Sequence, residues 1–191
     1  MRLFVAVHIS PGVREALGKL VEGLALSFVP SSNQKVRWVP SENFHVTLKF
    51  IGQVPPTALD AIRTSLCEVR ALPPFSLRVR GLHFFPNHRR PRVFWAGVDA
   101  PSELGALAGA IDEKLEPLQI ARERHAYTPH LTLARFNPPG LSEELRTVVG
   151  GCYHRDFGMV PVSEFRLMES KLKSSGAEYT TLQTFDFAAE A

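Results

Sequence analysis

The order of apolar and polar residues predicts a chain that alternates short strands with amphipathic helices. Over residues 3–9 an apolar residue occupies every second position, which is typical of a strand with one buried face. Ser10 and Pro11 follow as a capping residue and a first-turn proline, and the next apolar residues recur at helical spacing. Extended along the chain, this pattern predicts strands over 3–9, 36–39, 44–51, 75–79, 93–98, 130–136, 160–170 and 179–187, and helices over 11–24, 59–69, 102–115 and 141–149.

The predicted strands are short, and several of their connections are hairpin-like. This arrangement favours an α+β fold, or a mixed sheet with helices on the outside, over a doubly wound parallel sheet. The chain contains neither the Gly-x-Gly-x-x-Gly pattern nor the Gly-x-x-x-x-Gly-Lys pattern of nucleotide-binding loops. We therefore expect no nucleotide cradle of either kind.

One short motif occurs twice. The sequence FHVTLKF at 44–50 returns as PHLTLAR at 129–135, so both copies contain histidine, an apolar residue, threonine and leucine in that order. A chain with seven histidines and nine threonines would contain about 0.3 His-x-Thr pairs by chance. We therefore interpret the repeat as a duplicated unit of two halves, each roughly 90 residues long and each presenting one motif.

The spacing within each motif has a chemical consequence. Residues two apart on a strand point to the same face, so His45 lies beside Thr47 and His130 lies beside Thr132. A neutral imidazole can take a proton from an attacking oxygen while a charged one protonates the leaving oxygen, and the hydroxyls can bind phosphate oxygens. If the two strands line one cleft, this set suits phosphoryl transfer without a metal ion. The alternative is a structural duplication whose polar face is only solvated.

The residues around both motifs resemble the two-histidine phosphoesterase superfamily. Within it they resemble the bacterial and archaeal RNA 2',3'-cyclic phosphodiesterases, also called 2'-5' RNA ligases. The paired motifs are the most specific part of the resemblance, which extends over nearly the whole chain. It is carried by the segments 1–7, 38–52, 92–98, 127–135, 167–172 and 176–182.

This resemblance implies one bilobal domain over residues 1–191, a pseudo-twofold duplicated unit with antiparallel or mixed sheets lining a central cleft. It implies hydrolysis of the 2',3'-cyclic phosphate at the end of an RNA, such as a tRNA-like molecule or a fragment, to a 2'-phosphomonoester. ATP-independent 2'-5' joining would be the reverse reaction. By the same resemblance His45 is the proton donor, His130 is the proton acceptor, and Thr47 and Thr132 bind the phosphate. No metal and no nucleotide cofactor is implied.

Three further residues are candidates for substrate binding. Arg135 follows the second motif and could bind phosphate through its guanidinium group. It is five residues from His130, however, so a regular strand would point it to the opposite face. Phe44 and Tyr127 could stack on a base, although packing in the core is the commoner fate of aromatic side chains.

The charge of the chain is compatible with an RNA partner. Lysine and arginine number 22 against 19 acidic residues, which gives a net charge of +3 and a pI near 9.1. The basic loop at 87–92 could contact an RNA backbone or could simply be solvated. Arg37, Arg122 and Arg124 could extend the same basic surface.

The remaining features of the sequence mainly exclude other kinds of site and other classes of protein. The two cysteines cannot form a disulfide framework, and the other histidines have no metal-ligand spacing. No apolar run approaches the length of a membrane span, and the N-terminus is unlike a signal peptide, so we expect a cytoplasmic monomer without a membrane partner. Four histidines are interpreted as surface, capping or incidental residues: His8, His83, His125 and His154.

Two other functions are compatible with the same residues. The first is a cyclic phosphodiesterase that acts on a small nucleotide, and the second is a non-catalytic RNA-binding module that retains the cleft. The basic loop at 87–92 favours RNA over a small nucleotide. A metal-dependent hydrolase is a third class, which chelators would inhibit.

Overall fold

The computed structural model describes residues 1–27, 35–69, 73–140, 143–173 and 176–187. Within these ranges the chain forms nine strands and four α-helices. The strands are β1 (Arg2–His8), β2 (Lys35–Trp38), β3 (His45–Gln53), β4 (Phe75–Phe85), β5 (Val93–Asp99), β6 (His130–Asn137), β7 (Asp156–Val162), β8 (Glu164–Lys173) and β9 (Gly176–Asp186). The helices are α1 (Pro11–Ser27), α2 (Leu59–Cys67), α3 (Ser102–Leu115) and α4 (Glu143–Gly151).

Most of the predicted elements are present, but the single strand predicted over 160–170 is wrong. This segment contains two strands, because β7 ends at Val162 and β8 begins at Glu164. The sequence marks the break only by the spacing of three residues between Val162 and Phe165, both of which are buried. One continuous strand would have an even spacing between residues of one face. Residues 141 and 142 of the last predicted helix lie outside the described residues.

The strands form two antiparallel sheets. The four-stranded sheet has the order β3-β1-β8-β9, and the five-stranded sheet has the order β2-β6-β5-β4-β7. Every neighbouring pair of strands in both sheets runs antiparallel. The predicted α+β fold is therefore confirmed, with antiparallel pairing throughout the described strands.

Four strands of the five-stranded sheet match the four-stranded sheet in order, and β2 is an additional strand at its edge. The units β1-α1-β3 and β5-α3-β6 are alike, apart from β2, which lies between α1 and β3, and in each unit the first strand pairs with the strand that carries the motif. On its other side β1 is followed by β8 and β9, as β5 is followed by β4 and β7. Because β8 and β9 come from the C-terminal part of the chain, the two units are not consecutive halves of roughly 90 residues, as the repeat suggested.

The helices cover the outer faces of the sheets and link the two sheets. α1 follows a strand of the four-stranded sheet but packs against β7 of the five-stranded sheet. There Ser10 Oγ donates a hydrogen bond of 2.9 Å to the carbonyl oxygen of Met159. α3 follows β5 and packs against β3 of the other sheet. Apolar side chains from the helices and from both sheets form one main core. None of the described helices combines the length and the apolar character needed to cross a membrane.

Strand β1 is buried on both faces, although its pattern predicted one buried face. Leu3, Val5 and Val7 belong to the main core, whereas Phe4 and Ala6 belong to a separate small cluster on the opposite face. This opposite face is the one that carries the first motif histidine, as the contacts below show.

Candidate active site

The two motifs fold into strands with the same local structure. Counted from its histidine, each strand is partly buried, buried, partly buried, buried, buried and then exposed. The fourth residue has no partner in register, because the register shifts at that point: Leu48 of β3 lacks a partner on β1, and Leu133 of β6 lacks one on β5. Both strands therefore contain a β-bulge at the same place, and two successive residues of each strand are buried.

The bulge changes which side chains lie on the same face as the motif histidine. Beyond it the alternation of faces is shifted by one residue, so Arg135 lies on the same face as His130 and Thr132. A regular strand would have pointed Arg135 away from them. In β3 the corresponding residue is Phe50, which is 58% exposed. At this position the two motif strands thus carry different groups, a guanidinium group in β6 and an aromatic ring in β3.

Each motif histidine is oriented by the same backbone hydrogen bond. His45 Nδ1 lies 2.7 Å from the carbonyl oxygen of Asn43, and His130 Nδ1 lies 2.9 Å from the carbonyl oxygen of Thr128. Because a carbonyl oxygen can only accept, Nδ1 carries a hydrogen in both rings, and Nε2 is the nitrogen left for chemistry. In the first motif His45 Nε2 lies 3.1 Å from Thr47 Oγ1.

The ring of His45 packs against aromatic side chains. The ring centroids of Phe4 and Tyr179 lie 4.9 Å and 5.3 Å from it. Burial is the main reason that the pKa of His45 is lowered to about 4, and nearby positive charge, including that of His130, lowers it further. The hydrogen bond to Asn43 acts in the opposite direction.

His130 has similar surroundings in the other sheet. The ring centroids of Phe85 and Trp95 lie 5.3 Å and 5.8 Å from its own. Burial lowers the pKa of His130 below its usual value of 6.5, and the charge of Arg135 contributes in the same direction. In the free protein both imidazoles are therefore mostly neutral at pH 7.

The two motif strands are in contact, and their histidines lie within electrostatic range of each other. β3 contacts β6, and the hydroxyl of Tyr127 donates a hydrogen bond of 3.0 Å to the carbonyl oxygen of Thr47. The charges of His130 and Arg135 both act on the pKa of His45. The two contacting strands therefore carry two imidazoles, two threonine hydroxyls and a guanidinium group. Such a set can transfer protons at a phosphate and bind its oxygens.

Comparison with known proteins agrees with this geometry. The sequence matches the profile of the 2'-5' RNA ligase superfamily over residues 7–172, a span that includes both motifs. The chain belongs to this superfamily.

Several curated proteins are similar to this chain over nearly its whole length. The RNA 2',3'-cyclic phosphodiesterase of Methanothermobacter thermautotrophicus is 32% identical, over 97% of this chain and 98% of its own length. That of Archaeoglobus fulgidus is 35% identical, over 97% of this chain and 100% of its own length. Among solved structures, a protein of Thermus thermophilus covers both chains completely, with a TM-score of 0.78 and 32% identity.

The two aromatic candidates do not present free rings for stacking. Phe44 is only 1% exposed and packs in the main core, so the prediction that it binds a base is wrong. Tyr127 is partly buried, and burial raises the pKa of its hydroxyl. Because that hydroxyl is bonded to the backbone of Thr47, Tyr127 joins the segment before the second motif to the first motif strand.

Basic side chains gather at one end of the cleft. Arg37 of β2 pairs directly with Arg135 of β6, so both side chains lie on one face of the sheet. Neither makes an ion pair within the described parts of the chain. The basic loop at 87–92 reaches the same strand, where Phe136 N donates a hydrogen bond of 2.9 Å to the carbonyl oxygen of Arg92.

Two other arginines of the predicted basic surface differ from this group. Arg122 pairs with Glu116 at 2.7 Å, which offsets its charge. Arg124 is exposed, and its backbone amide donates a hydrogen bond to the side chain of Glu123.

The interpretation of His8 as incidental is wrong. His8 of β1 pairs in register with His45 of β3, and Arg166 donates a hydrogen bond of 3.0 Å to His8 Nδ1. Arg166 also pairs with Glu164 at 2.5 Å. Burial, followed by the charge of Arg166, lowers the pKa of His8 to about 4. The strand alternation contained the signal, since His8 falls on the face opposite to Leu3.

The described residues do not offer an evident metal site. No three histidine, cysteine, aspartate or glutamate side chains come together in those ranges as a metal ion would require. Whether the reaction needs a metal ion is a separate question, and metal independence stays a prediction.

Proposed function

We propose that the protein hydrolyses the 2',3'-cyclic phosphate at the end of an RNA to a 2'-phosphomonoester, with His45 as proton donor and His130 as proton acceptor. The observation that carries this proposal is that the two imidazoles are oriented in the same way. Each ring is oriented through Nδ1 by the carbonyl two residues before it, which leaves Nε2 for the cleft. The superfamily and the names of the curated relatives support the same reaction.

The reaction requires that one proton is removed and another is supplied. His130 Nε2 takes a proton from a water molecule as the water oxygen attacks phosphorus. The bond between phosphorus and the 3'-oxygen breaks, and His45 Nε2 gives its proton to that oxygen. The phosphate stays on the 2'-oxygen. Because the two rings have similar surroundings, the assignment of donor and acceptor rests on the family resemblance.

The phosphate would be bound by groups from both strands. The hydroxyls of Thr47 and Thr132 can donate hydrogen bonds to its non-bridging oxygens, and Arg135 can offset its charge. Arg37 lies opposite Arg135, and like charges directly opposite one another destabilise a sheet. A bound phosphate removes this repulsion, so the arginine pair favours a polyanion such as RNA over a small neutral ligand.

Substrate binding would supply the proton that His45 lacks in the free protein. With its pKa lowered to about 4, the His45 ring is almost entirely neutral at pH 7. A phosphodiester anion bound beside the ring favours the imidazolium form and raises the pKa. We therefore infer that the protein takes up a proton as the substrate binds.

Product analysis of matched histidine variants tests the proposal. Wild type should convert an RNA that ends in a 2',3'-cyclic phosphate to one that ends in a 2'-phosphate. His45→Ala and His130→Ala should each lower the rate by about 10²- to 10⁴-fold, since each removes one proton-transfer group. His125→Ala is the control, because this side chain is 90% exposed. Losses of only a few-fold in both motif variants would refute the acid–base roles.

A change of leaving group tests which histidine is the donor. A phosphodiester that releases p-nitrophenolate needs no proton on its leaving oxygen. With this compound His45→Ala should retain most of the wild-type activity, whereas His130→Ala should not. The opposite result would exchange the two roles.

The alternative functions give different outcomes in the same assays. Equal kcat/KM values for cyclic-phosphate RNA and for 2',3'-cyclic mononucleotides would favour the small-nucleotide alternative. Tight RNA binding without turnover by wild type would favour the non-catalytic module. We expect EDTA to leave the rate unchanged, and inhibition by EDTA that added metal ions reverse would contradict the metal-independent mechanism.

A further inference from the structure

A strip of aromatic rings runs from His130 across the five-stranded sheet. The rings of Phe85 and Trp95, which contact His130, are stacked on one another with centroids 4.5 Å apart. His83 follows, with its ring 4.6 Å from Trp95, and the ring of Tyr153 lies 5.1 Å from His83. We call Phe85, Trp95, His83 and Tyr153 the aromatic strip. His83, which the sequence suggested to be a surface or capping residue, is partly buried between two other rings of this strip.

The aromatic strip lies on the sheet face that lines the cleft. Thr132 of β6 pairs with Trp95 of β5, and Trp95 pairs with His83 of β4, so these three side chains point to the same side. They span two strand spacings, about 10 Å. Tyr153, at the outer end of the strip, is 55% exposed. The strip therefore leads from the proposed reaction centre to a ring that solvent can reach.

Two glycines make room for the aromatic strip. A Cβ at Gly97 would lie 2.3 Å from the carbonyl oxygen of Arg80 and 3.2 Å from His83 Nε2. Gly81 has a φ of +75°, and a Cβ there would lie 2.9 Å from the same nitrogen. A side chain at either position would displace the ring of His83, so the backbone is adapted to hold it.

The four-stranded sheet lacks this surface at the corresponding place. Gly97 pairs with His130 as His8 pairs with His45. Where the five-stranded sheet has the glycine and the stacked rings, the four-stranded sheet has His8 hydrogen-bonded to Arg166. The two sides of a phosphate bound in the cleft would therefore differ, with stacked rings beyond His130 and a charged pair beyond His45.

The aromatic strip lies on the side of the attacking group. In an in-line displacement the attacking and leaving oxygens lie on opposite sides of phosphorus, so the oxygen that gives its proton to His130 lies next to the strip. An attacking water molecule gains no stacking contact from an aromatic surface, whereas nucleic acid bases stack on aromatic rings. We propose that the aromatic strip binds the first bases of a second RNA end with a free 5'-hydroxyl, which attacks in place of water. This inference rests on the proposed function.

The joining step balances without an added energy source. The 5'-oxygen forms a bond to phosphorus, and its proton goes to His130 Nε2. The bond between phosphorus and the 3'-oxygen breaks, and the 3'-oxygen receives a proton from His45 Nε2. One phosphodiester bond is made as one is broken, and the product is a 2'-5' linkage. The reverse reaction would place the departing 5'-nucleoside on the same strip.

The test measures how the protein divides a cyclic-phosphate RNA between joining and hydrolysis. The RNA is mixed with a fixed concentration of a 5'-hydroxyl oligonucleotide, and the ratio of 2'-5'-joined product to 2'-phosphate product is determined. Tyr153→Ala should lower this ratio about fivefold to a hundredfold, since one stacking contact with the acceptor base is lost. Tyr153→Phe, which keeps the ring, should retain the wild-type ratio.

Two controls make the effect specific to the base and to this side of the cleft. An acceptor whose first two nucleotides lack bases should join poorly with wild type, and Tyr153→Ala should then cause no further loss. Phe50→Ala removes an exposed ring from the four-stranded sheet, and it should leave the ratio of joining to hydrolysis unchanged.

The outcomes separate this inference from the proposed function. An unchanged ratio in Tyr153→Ala, or equal joining of acceptors with and without their first bases, would overturn the aromatic strip as an acceptor site while hydrolysis stands. Hydrolysis by wild type without joined product at any acceptor concentration would also overturn it. Absence of both products would refute the proposed function itself.

Discussion

At the scale of single residues, burial controls the charge of the cleft. The pKa values of His8 and His45 are lowered to about 4, and that of His130 is also lowered, with burial as the main cause in each case. Three imidazoles near the cleft are thus neutral in the free protein at pH 7. A neutral ring with hydrogen on Nδ1 can accept a proton at Nε2 but cannot donate one there. The proposed donor therefore depends on the substrate for its charge.

The pH dependence of the reaction should reflect these lowered pKa values. For the free protein, kcat/KM reports the pKa values of the acid and the base, and both lie below 6.5 here. We expect a bell-shaped profile of kcat/KM with its maximum below pH 6.5, because the donor loses its proton as the pH rises. Steady-state kinetics over a range of pH measures this. A maximum above pH 8 would contradict it.

At the scale of elements, the β-bulge in β6 decides which residues reach the phosphate. Without it Arg135 would face away from His130, and with it the guanidinium group shares their face. Arg135→Met should lower kcat/KM by about tenfold to a hundredfold, since a charged hydrogen bond to phosphate is lost. Arg122→Met, which removes an arginine paired with Glu116, should change it little. Equal effects of the two variants would show that only net charge matters.

The buried ion pair behind the first motif links β3 to α3. Lys49, 5% exposed, pairs with Asp112 and donates a second hydrogen bond of 2.6 Å to the carbonyl oxygen of Ala121. Asp112 also accepts a hydrogen bond from the backbone amide of Glu123, in the segment that leads to the second motif. The pair therefore fixes that segment against the first motif strand.

Removal of one partner of this pair should destabilise the folded protein. Lys49→Met leaves Asp112 without its buried countercharge, and we expect the free energy of unfolding to fall by about 3–5 kcal/mol. Urea denaturation measures the loss. The double variant Lys49→Met with Asp112→Leu should recover a large part of it, because no unpaired charge remains. A double variant as unstable as the single one would show that the charge was not the cause.

The sequence was informative about single strands and less so about their partners. The faces of His45 and Thr47 follow from alternation alone, and the structure has them as predicted. The position of Arg135 depends on the bulge, which forms where β6 pairs with β5. Within β6 the bulge is marked only by the shift of the apolar positions from Leu131 and Leu133 to Ala134 and Phe136. The contact between His8 and Arg166 likewise joins strands far apart in sequence, so no local pattern could indicate it.

At the scale of the whole molecule, the two sheets depend on each other for their cores. α1 and α3 each pack against the sheet to which their preceding strand does not belong. Neither sheet can thus keep its apolar face covered if the other unfolds. The four-stranded sheet and the five-stranded sheet should form one cooperative unit.

This dependence can be measured with probes in separate sheets. Both tryptophans, Trp38 and Trp95, lie in the five-stranded sheet, so their fluorescence reports on that sheet. We expect the fluorescence transition in guanidinium chloride to coincide with the loss of protection from amide hydrogen exchange in β1 and β8. Two separate transitions would show that the sheets unfold independently.

The order of strands in the four-stranded sheet has a consequence for protein synthesis. β1 and β3 are translated early, but β8 and β9, which carry Arg166 and Tyr179, are translated after both motif strands. When both motif histidines of a growing polypeptide have left the ribosome, the two strands that complete the surroundings of His45 are not yet in place. The surroundings of His45 are therefore complete only after β9 has been translated.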